Sequence, residues 1–220
     1  WGCFDYNQQE PRLVVHYAFL YKLPSVYEVV DSYKENTKAD FHQTVADMAE
    51  IPRYQAKTIN LGLFYGMGKN KLATSLGVSK EEATLLISKY NRKVPFVKML
   101  SDRCMQTASD KGVIRTKKGR KCRFDMWEPK DFGLHTAETF DNAVAKYGRE
   151  NIKRAYTYKA LNRLIQGSSA DQTKQAMLAC YEEGYLPILQ LHDELCFNIK
   201  SKADATKIKK TMEKCIEFRS

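Results

Sequence analysis

Two aspartates and a periodic run of cations are the residues of this sequence best placed to do chemistry. Asp5 closes the apolar stretch WGCFDY, and Asp193 interrupts LQLHDEL. An apolar strand leading straight to an aspartate is costly unless the carboxylate meets a cation or a donor. Hard oxygen ligands of this kind hold Mg²⁺ while leaving positions for water and phosphate. Two such acids brought together could hold the metal pair of an in-line phosphoryl displacement. The alternative is a pair of exposed turn acids. Arg53, Lys57, Leu61 and Tyr65 follow one another at steps of four in RYQAKTINLGLFYGMG. A step of four in an α-helix turns about 400°, so the set drifts slowly around one face. Gly62 and Gly66 remove bulk beside it. Two cations followed by a flat apolar surface suit a phosphorylated ligand with a ring, such as a nucleoside triphosphate. An amphipathic helix with a basic edge gives the same pattern.

The elements that must position these residues are legible in outline. WGCFDY reads as a short strand, followed by a helix from about Gln8 with Pro11 in its first turn. Pro24 and Ser25 open a second helix. Asp40 with Gln43 forms a capping pair for a third, and Pro52 takes the first position of the helix bearing the stripe. Three helical pieces follow, one opened by a Ser79–Glu82 capping box and the last two divided at Pro95. Residues 111–123 hold seven cations and no acid, and they predict a β-hairpin around Lys118-Gly119. Such a hairpin commonly touches a phosphate backbone. The pattern predicts a helix from about Thr139 to Gly167. It predicts another from Ser169, capped by Gln172, to Gly184. Two strands then flank the turn His192-Asp193-Glu194.

Composition bounds the class. The 220 residues suffice for one large or two small domains with a real core. The formal charge of +10 favours a polyanionic partner. The six cysteines form no CxxC pair and none has a histidine at zinc-ligand spacing, which fits a reduced cytoplasmic compartment and argues against a structural metal site. No apolar run is long enough to span a bilayer. Both ends read as cuts within a longer protein. Asp131-Phe132-Gly133 mimics a kinase metal motif without its companion loops, and Gly66-Met67-Gly68-Lys69 follows a helix rather than a strand, unlike a phosphate loop. His16 reads as a packed core histidine.

DYNQQEPR at Asp5–Arg12 resembles the first motif of family A DNA polymerases, whose usual form is DYSQIELR. RYQAKTINLGLFYG resembles the second, R-x-x-x-K-x-x-x-[FY]-x-x-x-Y-G, and QLHDEL at Gln190–Leu195 the third. LNRLIQGSSADQTKQAM resembles the segment between the last two. The motifs stand in the family's order and cover essentially the whole chain. Phrases such as NQQEPR and CRFDMWEP are most similar to bacteriophage or other viral enzymes.

The resemblance implies an α+β right hand. Residues 1–23 and 139–220 would form a palm with a small antiparallel sheet. Residues 24–138 would form helical fingers, with the nucleotide-binding helix at 52–66 and the basic hairpin at 111–124. The thumb and any exonuclease domain would lie outside the chain. The implied activity is template-directed addition of deoxynucleoside triphosphates to a primer in replication, in the host cytoplasm if viral. Partners would be primer-template DNA, with no membrane and a processivity factor that the sequence does not identify. Asp5 and Asp193, with the Tyr6 carbonyl, would hold two Mg²⁺ ions, with Mn²⁺ as a substitute, and Glu194 would assist. Lys57 would donate a proton to pyrophosphate. Gln8, His42, Arg53, Lys57, Leu61 and Tyr65 would bind the nucleotide. Glu10, partnered by Tyr65, would block a 2′-hydroxyl. Asn162, Gln166, His192, Arg115 and Arg120 would contact DNA. Three positions depart from the family pattern: Tyr158 replaces an arginine, Asn7 a serine, and Leu61 an aromatic. A single-subunit RNA polymerase relative and a decayed binding module are the competing readings. Glu10 weighs against the first and the intact carboxylates against the second.

Overall fold

The computed structural model describes residues 1–131, 133 and 135–218; Phe132 of the kinase-like DFG triplet and residues 219–220 lie outside them. Ten α-helices and three small antiparallel sheets make up the described chain. The sheet that matters most joins β1 (Gly2–Phe4), β7 (Glu194–Phe197) and β6 (Pro187–Leu191) in the order β1-β7-β6. Cys3 pairs with Cys196 and Phe4 with Leu195, so the chain on either side delivers Asp5 and Glu194 to the same end.

The polar loop after β1 turns through Gln8, whose left-handed backbone (φ 55°) starts α1 (Gln9–Leu20). Leu13, Val14 and Val15 on this helix enter the main core beside α2 (Val26–Glu35), α3 (Phe41–Ala49), α4 (Arg53–Phe64), α5 (Lys69–Leu76), α6 (Lys80–Lys93) and α7 (Pro95–Lys111). Most termination signals act as expected. Ser79 and Glu82 form the reciprocal capping box of α6, and Pro95 is the first residue of α7. Two differ slightly. Asp40 accepts from the His42 and Gln43 amides, yet the Gln43 side chain turns forward to Asp47 instead of closing a box. Pro52 caps α4 from just outside.

The basic hairpin forms from β2 (Val113–Arg115) and β3 (Lys121–Arg123). Gly112 ends α7 with φ 65°, and a β-carbon there would lie 2.6 Å from the Arg154 guanidinium carbon. The left-handed backbone favours glycine, and any larger residue would have to push the Arg154 side chain aside.

The single helix expected over Thr139–Gly167 is not formed. Instead α8 (Phe140–Tyr147) stops at Gly148, and Ile152–Arg154 forms β5 against β4 (Trp127–Pro129). Gly148 takes φ 80°, and residues 152–154 supply β4 with the backbone partners it needs. The break expected at Ser169 is also absent, because α9 runs unbroken over Ala160–Glu182. The amides a capping serine would satisfy already have carbonyl partners in the preceding turn. Ser169 donates instead to Gln9 Oε1, and Gln172 accepts from Gln9 Nε2 at 3.0 Å. The two residues that resemble a cap thus fasten α9 to α1. Helix α9 also bridges two cores: Leu161, Leu164 and Ile165 belong to the large one, Ala176 and Cys180 to a small one under the β1-β7-β6 sheet. The small core is closed by Ile208 and Met212 of α10 (Lys202–Lys214), which begins in a Ser201–Asp204 capping box.

Candidate active site at the end of the three-stranded sheet

Asp5 leaves β1 where Asp193 leaves the β6–β7 turn. The two side chains are within hydrogen-bonding range, with the charge of Glu194 beside them. Partial burial, then repulsion from Asp193 and the hydrogen bond to it, raise Asp5 above the ordinary carboxylate range. An arrangement that crowds three acids stores electrostatic cost that a bound cation relieves. Its donors are hard oxygens, as Mg²⁺ prefers. The Tyr6 hydroxyl is buried beneath the site and donates to the Met212 carbonyl at 2.9 Å, tying the Asp5 loop to α10. Its side chain is therefore an anchor, which leaves its carbonyl as the group available to a cation. His192 sits at the tip of the turn with φ 55°, and Gln190 Nε2 donates to its carbonyl at 3.0 Å.

The second wall is α4. Arg53 is bound to Asp40, with Nε 2.9 Å from Oδ2. Burial opposes Asp40 ionisation. The Arg53 bond and the Gln43 and His42 amides outweigh it and hold Asp40 below its ordinary value. Lys57, one turn on, is exposed, and among the described residues none forms an ion pair with it. Leu61 is half-buried, and Tyr65 caps the C-terminus of the helix, exposed.

His42 is held from behind. Its Nδ1 lies 3.0 Å from Asn60 Nδ2, and Asn60 Oδ1 accepts from the buried Tyr90 hydroxyl. With the Asn60 amide so oriented, Nδ1 accepts and the ring proton sits on Nε2. Burial, then the nearby Arg53 and Lys57 charges, lower the His42 pKa despite Asp40. A neutral imidazole with Nε2–H is a donor to an anion without being a cation. Removing the hydroxyl in Tyr90→Phe leaves a buried Asn60 oxygen unsatisfied. Denaturant unfolding is expected to show a loss of about 1–3 kcal/mol; no loss would show that the network is not under load.

Glu10, Tyr65 and Gln166 meet between the two walls. The Tyr65 hydroxyl donates to Glu10 at 2.9 Å, and Gln166 Nε2 donates to the same carboxylate. Burial and the Glu10 bond push the Tyr65 phenol up to about 12. Gly66, with φ 66°, lets Tyr158 close in, since a β-carbon there would lie 2.8 Å from the Tyr158 carbonyl oxygen.

Several residues take up positions the sequence did not suggest. Gln8 donates to the Ala39 carbonyl at 2.9 Å and accepts from the Phe41 amide at 2.8 Å. Both ends of its amide are engaged, so it links the Asp5 loop to the start of α3 rather than standing free. Arg120 is paired with Asp171 of α9, its Nε at 2.7 Å, and Thr116 donates to the same carboxylate at 2.6 Å. Arg120 thus anchors the hairpin, whereas Arg115, equally exposed, has no ion pair among the described residues. Asn162 and Gln166 lie one turn apart on α9, with Gln166 already bound to Glu10. Asn60, Tyr90 and Asp171 support the site and escaped the sequence reading, which took Asp40 as a helix cap and missed its bond to Arg53. A polar Asn60 on the inward face of α4 was the one visible signal; an acid such as Asp171 has none until its hairpin partner is known.

None of the described helices is long and apolar enough to cross a membrane. Residues 2–220 match the family model described as DNA polymerase family A. A DNA-directed DNA polymerase of Pseudomonas phage M6 is 37% identical, over 98% of this chain and 35% of that protein. DNA polymerase DpoZ of Salmonella phage PMBT28 is 28% identical, over 94% of this chain and 33% of its own length. The POL domain of Pol1 from M. smegmatis, solved in complex with DNA primer-template and dNTP, has a TM-score of 0.75. It is 25% identical and covers 99% of this chain and 37% of that one. The chain therefore spans about a third of the length of these phage relatives. With the family model matched along nearly all its length, the chain belongs to DNA polymerase family A.

Proposed function

We propose that this chain is the palm (residues 1–23 and 139–220) and fingers (24–138) of a phage-type replicative DNA polymerase. It would act on primer-template DNA and deoxynucleoside triphosphates in the host cytoplasm. The observation that carries this reading is the contact of Asp5 with Asp193 at the sheet end, beside Glu194. Asp5, Asp193 and the Tyr6 carbonyl would hold two Mg²⁺ ions, or Mn²⁺ in their place. Bound there, the metals supply Lewis acidity toward the primer hydroxyl and the triphosphate. Arg53, Lys57 and the His42 Nε2–H bind and orient the phosphates, and Lys57 is the group able to hand a proton to the leaving pyrophosphate. Gln166 leaves Glu10 for the minor groove when a base pair is present, where the acceptors N3 and O2 are common to all pairs. His192 contacts the primer terminus, and Asn162 and Arg115 the DNA.

Primer extension by the full-length protein carrying this chain tests the reading, with deoxy- and ribonucleotides compared. Extension with deoxynucleotides alone is expected. Preference for ribonucleotides would indicate an RNA polymerase relative, and binding without extension a decayed module.

Two specificity predictions follow from the walls of the site. Glu10→Ala opens the space beneath the sugar, and ribonucleotide incorporation is expected to rise by about 10–100-fold in kcat/KM relative to deoxynucleotides. Unchanged discrimination removes Glu10 as the gate. Leu61 has no hydroxyl and cannot stack as an aromatic does. Leu61→Tyr is therefore expected to accept dideoxynucleotides more readily, read as chain termination at a fixed dideoxy:deoxy ratio. Equal termination by both proteins contradicts it.

A further inference from the structure

Beside the carboxylate cluster lies a second donor set of different chemistry. Cys3 and Cys196 face each other across the β1–β7 ladder with their sulfurs 3.0 Å apart. Glu194 completes the group, its Oε1 3.3 Å from the Cys196 sulfur. One ligand atom from each of the three lies within 4.8 Å of the others. Cys3 is exposed while Cys196 is buried, so the group opens to solvent on one side only.

We propose that Cys3, Cys196 and Glu194 form a site for a thiophilic divalent cation of the zinc class, distinct in ligand chemistry from the hard-oxygen site of Asp5 and Asp193. A tetrahedral ion with sulfur at about 2.3 Å and carboxylate oxygen at about 2.0 Å sets sulfur–oxygen edges of about 3.5 Å and a sulfur–sulfur edge of about 3.8 Å. The Cys196–Glu194 edge, at 3.3 Å, is nearly in place, and the Cys3–Glu194 edge lies within 4.8 Å. The sulfur–sulfur edge requires the two sulfurs to part by less than an ångström, which a small side-chain rotation supplies. Both thiols release their protons to solvent on binding, and water takes the open fourth position. Mg²⁺ disfavours the two sulfurs and meets this site only through Glu194.

Occupancy has a consequence that, unlike the site itself, rests on the polymerase reading. Glu194 cannot serve both sites, so a bound soft cation draws it from Asp5 and Asp193 and inhibits nucleotide addition.

The test is a Co²⁺ titration of the full-length protein under a non-thiol reductant with excess Mg²⁺, followed by primer extension on the same samples. One equivalent is expected to give a thiolate-to-cobalt charge-transfer band that an equivalent of Zn²⁺ removes. Cys3→Ser, at an exposed position, is expected to weaken binding by at least about tenfold. Cys196→Ser, checked for folding by circular dichroism, should do the same. A missing band, or one undiminished in Cys3→Ser, overturns the site. In extension, Zn²⁺ should inhibit the wild type at the concentration that fills the site, and Cys3→Ser should keep its basal rate and lose that sensitivity. Equal inhibition of both proteins, or none, overturns the consequence. No extension before any soft metal is added overturns the polymerase reading and leaves the spectral result standing.

Discussion

Replacing either Asp5 or Asp193 with alanine is expected to reduce primer extension by about 10³-fold or more, equivalent to about 4 kcal/mol of transition-state stabilisation. Each carboxylate ends a different element, Asp5 after β1 and Asp193 in the β6–β7 turn, and the two meet at the sheet end. Neither can stand in for the other, because each supplies half of one ligand set. Rates within tenfold of wild type would sink the assignment. A companion measurement separates chemistry from folding. The folded pKa of Asp5 is raised above its ordinary 3.8, so its ionisation costs the fold stability. That cost is absent well below the ordinary value and complete once pH exceeds the raised one. Asp5→Asn should therefore unfold no earlier than wild type at pH 7 without metal, and the two should converge as pH falls into the carboxylate range. It should also lose stabilisation by Mg²⁺. An Asn variant that melts earlier at pH 7 would mean that the aspartate makes contacts stronger than the repulsion it suffers.

Lys57→Ala is expected to lower the rate of the chemical step by about 10²–10⁴-fold, the range for loss of a positioned proton donor. The two cations of the stripe differ in what they already hold. Arg53 is bound to Asp40 in the absence of ligand, whereas Lys57 stands exposed without an ion pair among the described residues. Arg53 can bind phosphate only by sharing or releasing its carboxylate. Lys57 meets the incoming charge directly and carries a proton it can give up. Single-turnover extension across pH is the informative measurement. Lys57→Arg should keep nucleotide affinity and lose rate, since a guanidinium does not release its proton at accessible pH. If the arginine variant matched wild type in rate, Lys57 would be a phosphate ligand only.

Much of the site was legible because its chemistry is written in short, regular spacings. Steps of four put Arg53, Lys57, Leu61 and Tyr65 on one helix, and α4 extends over that run to its cap at Tyr65. Ser79 with Glu82, Pro95, and the paired turn at Lys118-Gly119 gave boundaries through interactions confined to a few neighbouring residues. Reading failed where a local signal had a distant competitor. Ser169 and Gln172 have the spacing of a cap, yet Gln9 takes both side chains and α9 runs through. Residues 152–154 sit in a stretch with helical periodicity, yet β4 claims them as a strand.

The sequence by itself determined which residues carry charge, proton-donating capacity and helical register: Asp5, Asp193, the Arg53–Tyr65 stripe, and the basic hairpin. These are properties of residue type and of spacing within one element. The tertiary structure alone decided which of them meet. It brought Asp5 against Asp193 across 188 positions of chain, closed Glu10 onto Tyr65 and Gln166, committed Arg120 to Asp171, and set Cys3 opposite Cys196. Such encounters depend on strand register and on the packing of α9 against α1, which arise from the burial of apolar faces shared by the whole chain.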